Sequence, residues 1–395
     1  MSESLAARSG AASILPVALA MATQIATMLP VFLAGSLFPL YRDTLGLSAA
    51  DLGMTVALFF GCSAFGSASL SGLSDRYGPW SVARASLAAA SAFAALASLA
   101  GTALLFTMFI ALAGIANGTV QPTTNVALTR AVPSARQGFA FGLKQASVPL
   151  ATMAAGLAVP SIALVAGWRI CFGLAALFSV TVVLLLPRGA ERQREKSGSR
   201  GLPDWSMPVL IALGIMSGLA AGSANAMAGF YVTTLEARGI DYATAGYLLA
   251  GGSIVSVVLR IIFGWLSDLI RFPLLAAVSV LMAGGALAYA IFAATFAFPM
   301  ILLATALAFG MGWGWAGLSI LAIVRANPRA PGRASGVVQS ALFVGAVIGP
   351  FSFGRVADVY GISSGWVMLA VATACAALIP PTLMLLRPEL ASPRP

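Results

Sequence analysis

The chain is 395 residues long, 59% hydrophobic and only 9% charged, with a mean hydropathy of +0.95. A water-soluble domain carries about a quarter charged residues, so the excess apolar surface must face a lipid bilayer and an ordinary globular fold is excluded. The net charge of +10 comes from dispersed basic residues rather than one patch, which argues against nucleic acid as a partner.

The first apolar run, 14–41, follows a short head with one arginine and one glutamate. The run continues to Tyr41, too far for a signal peptide, and is expected to be a retained span. Runs at 50–73, 80–100, 102–127, 137–160 and 163–187 follow. The hydrophilic stretch "RGAERQREKSGSRGLPDWS" (188–206) interrupts the pattern. Further runs occupy 207–235, 243–266, 273–294, 298–324, 334–356 and 363–386. Each is about as long as a membrane crossing. The expected fold is an all-α polytopic membrane protein with twelve transmembrane helices. Residues 1–187 and 207–395 form six-helix halves, joined by a cytoplasmic basic linker at 188–206.

Orientation follows from the basic residues. Sixteen of the 22 fall in the tails and loops on the side of the termini. Four, Arg42, Arg169, Arg238 and Arg355, fall on the other side, and Lys144 and Arg260 lie inside spans. Loops rich in Lys and Arg stay inside, so both termini are expected to be cytoplasmic in a plasma membrane such as the bacterial inner membrane.

The halves repeat each other. "SGLSDRYG" (71–78) aligns with "GWLSDLIR" (264–271), and "GFAFGLKQA" (138–146) with "GRASGVVQS" (332–340), at offsets of 193 and 194 residues. "GLSAADLG" (46–53) matches "GIDYATAG" (239–246), and "GW" at 167–168 recurs at 365–366 after a small insertion. Paired six-helix halves mark a transporter whose site lies between them near the midplane.

The loop "GLSDRYG" and its copy "GWLSDLIR" resemble the major facilitator superfamily signature G-x-L-a-D-r-x-G-r-k. Ser71 stands for the first glycine and Pro79-Trp80 for the basic pair. The resemblance extends over the whole chain. It implies alternating access, with Asp75, Arg76, Arg136, Asp268, Arg271 and Arg333 as gating residues at the cytoplasmic ends. The spacing R-x-x-x-G from Arg260 to Gly264 is similar to that in the monocarboxylate and oxalate/formate branches, where the arginine is a substrate-anion ligand. The glycine-rich fifth-helix pattern of drug/proton antiporters is missing from "SVPLATMAAG".

All twelve acidic residues fall in tails, loops or span ends, so Lys144 and Arg260 have no counter-ion within the spans. Lys144 is eight residues past Arg136 and Arg260 eight before Asp268. Both therefore lie roughly 12 Å from the same membrane edge. In the superfamily fold the fifth and eighth helices meet at the seam, so two cations are expected to face one region. An anion relieves their repulsion, with Arg260 as a fork-shaped ligand and Lys144 as a point charge. The first, fourth, seventh and tenth helices, which line the path in that fold, add Gln24, Asn117, Gln121, Asn225, Trp313 and Trp315. The repeat pairs Gln145 with Gln339. Each amide can orient a substrate or tie helices together, and each tryptophan can stack or pack.

The expected function is secondary transport of a small organic anion, a carboxylate. A proton or an exchanged counter-anion is the coupling partner. Efflux of drug-like or neutral compounds, or uptake of a neutral aromatic metabolite or vitamin, is the alternative. With no histidine, no metal or disulfide spacing at Cys62, Cys171 and Cys375, and no nucleophile–base set or phosphate loop, neither catalysis nor a cofactor is expected.

Overall fold

The computed structural model describes residues 2–70, 73–132, 140, 142–188, 204–269, 273–327 and 329–390. Most of the 188–206 linker thus lies outside the described residues. Among them, twelve helices are long and apolar enough to cross a membrane. They are α1 (Leu15–Ser36), α2 (Ala49–Leu70), α3 (Pro79–Leu99), α4 (Ala103–Leu128), α5 (Gly142–Ala166) and α6 (Trp168–Leu185). The second six are α7 (Met207–Glu236), α8 (Tyr242–Phe263), α9 (Leu274–Ala294), α10 (Phe298–Ala326), α11 (Ala334–Tyr360) and α12 (Ile362–Leu386). The helices with the largest buried share are α1, α7, α10 and α4, the four expected to line the path.

Three expected spans differ in outline. The first stops at Ser36, and the chain turns at Leu37 into a short helix, Phe38–Leu45, with proline in its first turn. The fifth is kinked at both ends. A turn interrupts it at Ala146, and a π-helical turn, Val159–Ala163, accommodates Pro160. The tenth, expected to be continuous over 298–324, is broken: Phe298–Gly310 and Trp315–Ala326 are helical, and Met311–Gly314 forms turns between them. Gly310, Gly312 and Gly314 crowd this stretch with poor helix formers. Backbone also packs there closely, since a Cβ on Gly285 of α9 would lie 2.6 Å from the Gly312 Cα.

One element of the sequence repeat is corrected. Gly167 (φ 88°) opens α6 and Gly361 (φ 85°) opens α12, so Gly361, 194 residues on, is the structural partner of Gly167. Only glycine takes this backbone conformation without strain. The tryptophan of the second copy, Trp366, sits one turn deeper than Trp168 on the same helix face. Both anchor aromatic clusters, Trp168 against Tyr41, Phe106 and Phe172, and Trp366 against Tyr289, Phe292 and Phe353.

The two halves meet closely toward the face opposite the termini. Gly35 of α1 meets Gly229 of α7, Gly53 of α2 meets Pro350 of α11, and Gly156 of α5 meets Gly246 of α8, all backbone to backbone. A Cβ on Gly35 would lie 2.6 Å from the Gly229 carbonyl oxygen. Two polar contacts close the rim. Arg42 Nη2 meets Glu236 Oε1 at 3.3 Å, joining the short helix Phe38–Leu45 to the end of α7. Asp358, at the end of α11, accepts the backbone N–H groups of Ala49 (3.0 Å) and Ala50 (2.9 Å), capping α2 from the other half.

The cap joins the two halves across this face. Asp358→Ala is therefore expected to weaken closure by about 1 kcal/mol. In a protein with Cys62, Cys171 and Cys375 replaced by serine, a cysteine at Leu45 should be alkylated roughly fivefold faster. An unchanged rate would show that the cap does not hold the face shut.

Candidate functional site

The site grows out of two interruptions in helix geometry. On α5, Pro149 has no N–H, so the carbonyl of Gln145, four residues earlier, lacks its helical donor. On α10, the turns over Met311–Gly314 take the Trp313 carbonyl out of regular helix. Arg260 of α8 connects them. Its Nη1 donates to the Gln145 carbonyl at 3.0 Å and its Nη2 to the Trp313 carbonyl at 2.8 Å. The guanidinium also lies 5.8 Å from the Trp313 ring centroid, within cation–π range. Its Nε is buried with no hydrogen-bond partner.

Lys144 is the residue next to Gln145. Its side chain is only 2% exposed and turns toward α4. Nζ donates to the carbonyl of Gln121 at 3.0 Å and to Asn125 Oδ1 at 2.5 Å. Gln121 and Asn125 are four residues apart, hence on one helix face. Among the described residues, neither Lys144 nor Arg260 has an ion pair. Among the described residues both cations are held by neutral oxygens, which solvate a buried charge without neutralising it.

The other expected residues divide. Trp313 packs edge-on against Phe32 of α1, with centroids 6.1 Å apart, and against Phe309 at 5.8 Å, so it bridges the halves beside Arg260. Trp315 faces another cluster, with Leu210, Leu213 and Leu318, and its Nε1 donates to the Gly312 carbonyl at 3.1 Å. Gln24 donates to Asn117 Oδ1 at 3.0 Å and Asn117 to Ser63 Oγ at 3.1 Å, a chain that ties α1, α4 and α2. The Gln24 Oε1 is buried without a partner. Asn225 donates to the carbonyl of Ala221 in its own helix at 2.8 Å. Gln145 and Gln339 are half-buried.

Of the expected gating residues, Arg76 is exposed and lies 5.2 Å from the ring centroid of Tyr77. Arg136 and Arg271 lie outside the described residues, as do the side chains of Asp75, Asp268 and Arg333.

Asn117 is 1% exposed and its amide is used on both sides. Asn117→Ala is expected to cost about 1 kcal/mol, typical of a hydrogen bond between membrane helices. The check is a lower melting temperature in detergent.

The sequence offers Asn125 as a polar position of the fourth helix, but sequence reasoning missed its pairing with Lys144 and the two carbonyls that hold Arg260. Pro149 was the available signal for the Gln145 carbonyl, because a proline within a helical run frees the carbonyl four residues before it.

A family model described as the Major Facilitator Superfamily matches residues 20–324 and 213–395, together nearly the whole chain. The chain belongs to the major facilitator superfamily. Two solved structures of a bacterial homolog to the human lysosomal transporter Spinster are similar to it. The inward-facing, occupied form superposes with a TM-score of 0.76 at 16% identity, covering 96% of this chain and 98% of that one. The inward-facing, unoccupied form gives a TM-score of 0.70 at 12% identity, over 95% of this chain and 97% of that one. The nucleoside transporter NupG gives a TM-score of 0.71 at 16% identity, over 92% and 99%. At these identities the likeness is one of fold. No curated protein matches the sequence. Superfamily membership makes the chain a multi-pass membrane transporter of a small molecule, built as two pseudo-symmetric six-helix halves.

Proposed function

We propose that this superfamily member transports a small organic anion, a carboxylate, by alternating access between its halves, 1–187 and 207–395. The carrying observation is the pair Lys144 and Arg260, which lie on helices of different halves and, among the described residues, have only neutral oxygens as partners. A carboxylate between them gains charge-assisted hydrogen bonds and neutralises two buried cations at once. Arg260 supplies a planar donor edge, and Lys144 a point charge that leaves Asn125 to reach the ligand. Gln24, Gln121, Gln145, Gln339, Asn117, Asn225, Trp313 and Trp315 remain candidate contacts around it.

A neutral aromatic solute is the competing substrate, the type named for NupG. It needs a free indole face, and the Arg260 guanidinium already stands within cation–π range of Trp313. That favours the anion.

In the same reading the termini and the 188–206 linker are cytoplasmic, the membrane is a plasma membrane such as a bacterial inner membrane, and Asp75, Arg76, Arg136, Asp268, Arg271 and Arg333 close the cytoplasmic gate. The state described, with its glycine contacts and the Arg42–Glu236 pair formed, is closed on the opposite face. A proton or a counter-anion completes the transport cycle. The test is uptake by proteoliposomes of labelled benzoate, lactate and uridine. Saturable uptake of a carboxylate, and none of uridine, is expected. Saturable uridine uptake with no carboxylate uptake contradicts the proposal.

A further inference from the structure

Arg260 is the side chain on which the proposed site depends, and its donors are spent in an unusual way. One goes to a backbone carbonyl of its own half, Trp313, and one crosses the seam to a backbone carbonyl of the other half, Gln145. A carbonyl within a helix normally accepts from the N–H four residues later. For Gln145 that residue is Pro149, which has none. The helix also turns at Ala146, whose N–H bonds to Leu143 at 3.1 Å, three residues back. Pro149 is buried in the first turn of the Ser147–Ala158 helix, where the missing N–H costs that helix little. What it changes is the carbonyl of Gln145, which is left without a helical donor and is the one that Arg260 takes.

We propose that Pro149 is a positioning residue for Arg260. By removing the helical donor to Gln145, it supplies the cross-seam acceptor that sets the guanidinium plane and leaves its buried Nε edge for a ligand. The proposal deepens the anion reading of this site, but its first test does not depend on that reading.

The test is a double-mutant cycle on the purified full-length protein in detergent: wild type, Pro149→Ala, Arg260→Gln and the double variant. An alanine at 149 restores a good helix former and an N–H for the Gln145 carbonyl. With Arg260 absent, this should raise the melting temperature modestly, because the Gln145 carbonyl regains a helical donor. With Arg260 present, the rise should be absent or reversed, because the guanidinium loses its acceptor. Equal shifts in the two backgrounds overturn the proposal, since residues that do not communicate add. If Arg260→Gln does not yield folded protein, Arg260→Lys, which keeps the charge and loses the fork, completes the cycle.

A second readout uses benzoate as the probe. Pro149→Ala should raise the benzoate concentration for half-maximal thermal stabilisation at least fivefold with Arg260 intact, whereas the Arg260 variant should show no benzoate stabilisation with either residue at 149. A purely structural role moves the melting temperature without moving this midpoint, and that outcome overturns the positioning role. If benzoate stabilises none of the four proteins, the anion reading fails while the melting cycle still decides the role of Pro149.

Discussion

Arg260→Gln is expected to lower carboxylate uptake by at least tenfold, and Lys144→Gln by a comparable factor, while both proteins remain folded. A hydrogen bond to a charged group is worth about 1.5–3 kcal/mol, or roughly ten- to a hundredfold in affinity. Arg260→Lys should not rescue uptake, because one ammonium cannot reach the carbonyls of Gln145 and Trp313 and a ligand in one plane. Stability should move the other way from activity. Lys144 is 2% exposed and lacks an ion pair among the described residues, so Lys144→Met removes a buried charge that only Gln121 and Asn125 solvate. An unchanged or higher melting temperature with abolished uptake is the pattern of a binding residue. A lower melting temperature with proportionate loss of uptake would make Lys144 structural.

The second large effect is expected at the glycine seam. Gly156→Val should reduce transport to a few per cent of wild type with little change in melting temperature. Its Cβ would lie 2.8 Å from the Gly246 carbonyl oxygen and 2.9 Å from the Ala250 nitrogen, both in the other half. Overpacking of this kind costs about 1–3 kcal/mol, and the molecule escapes it by opening that face. The equilibrium between the two faces then shifts by roughly five- to 150-fold, enough to trap the transporter. Gly345→Val is the contrast. Gly345 meets the Gly218 backbone within the last six helices, where no rocking relieves the overlap. It should lower the melting temperature and the yield. Loss of stability at both positions alike would show that the α5–α8 contact belongs to a fixed core rather than to a moving seam.

Much of this was legible in the sequence for a physical reason. A bilayer demands about twenty apolar residues per crossing, so twelve spans show as twelve runs, and a duplicated half shows as a constant offset. The depth of Lys144 and Arg260 followed from counting along helices. What their side chains touch did not, because hydrophobic runs carry no record of which neighbour supplies an oxygen. Asn117 illustrates the limit. A polar residue within a span reads equally as a ligand or as a tie between helices, and here its amide bonds both Gln24 and Ser63. The break in α10 was partly visible as three glycines at alternate positions, yet hydropathy runs straight through Met311–Gly314. The GW match at 365–366 misled because the tryptophan shifted by one turn while the helix-opening glycine stayed at 361. Local composition finds the helices; the seam between them depends on close approaches such as Gly35 to Gly229, which only the packed chain displays.

The central claim is that one anion sits between Lys144 and Arg260. Its most direct test is thermal stabilisation of the purified wild type, Lys144→Ala and Arg260→Ala by benzoate, lactate and uridine. A ligand at a hundred times its Kd adds about 2.7 kcal/mol to the folded state, a shift of a few degrees. A carboxylate is expected to shift the wild type, both variants to lose the shift, and uridine to move none of them. Uridine stabilising all three proteins equally, with the carboxylates inert, would contradict that claim.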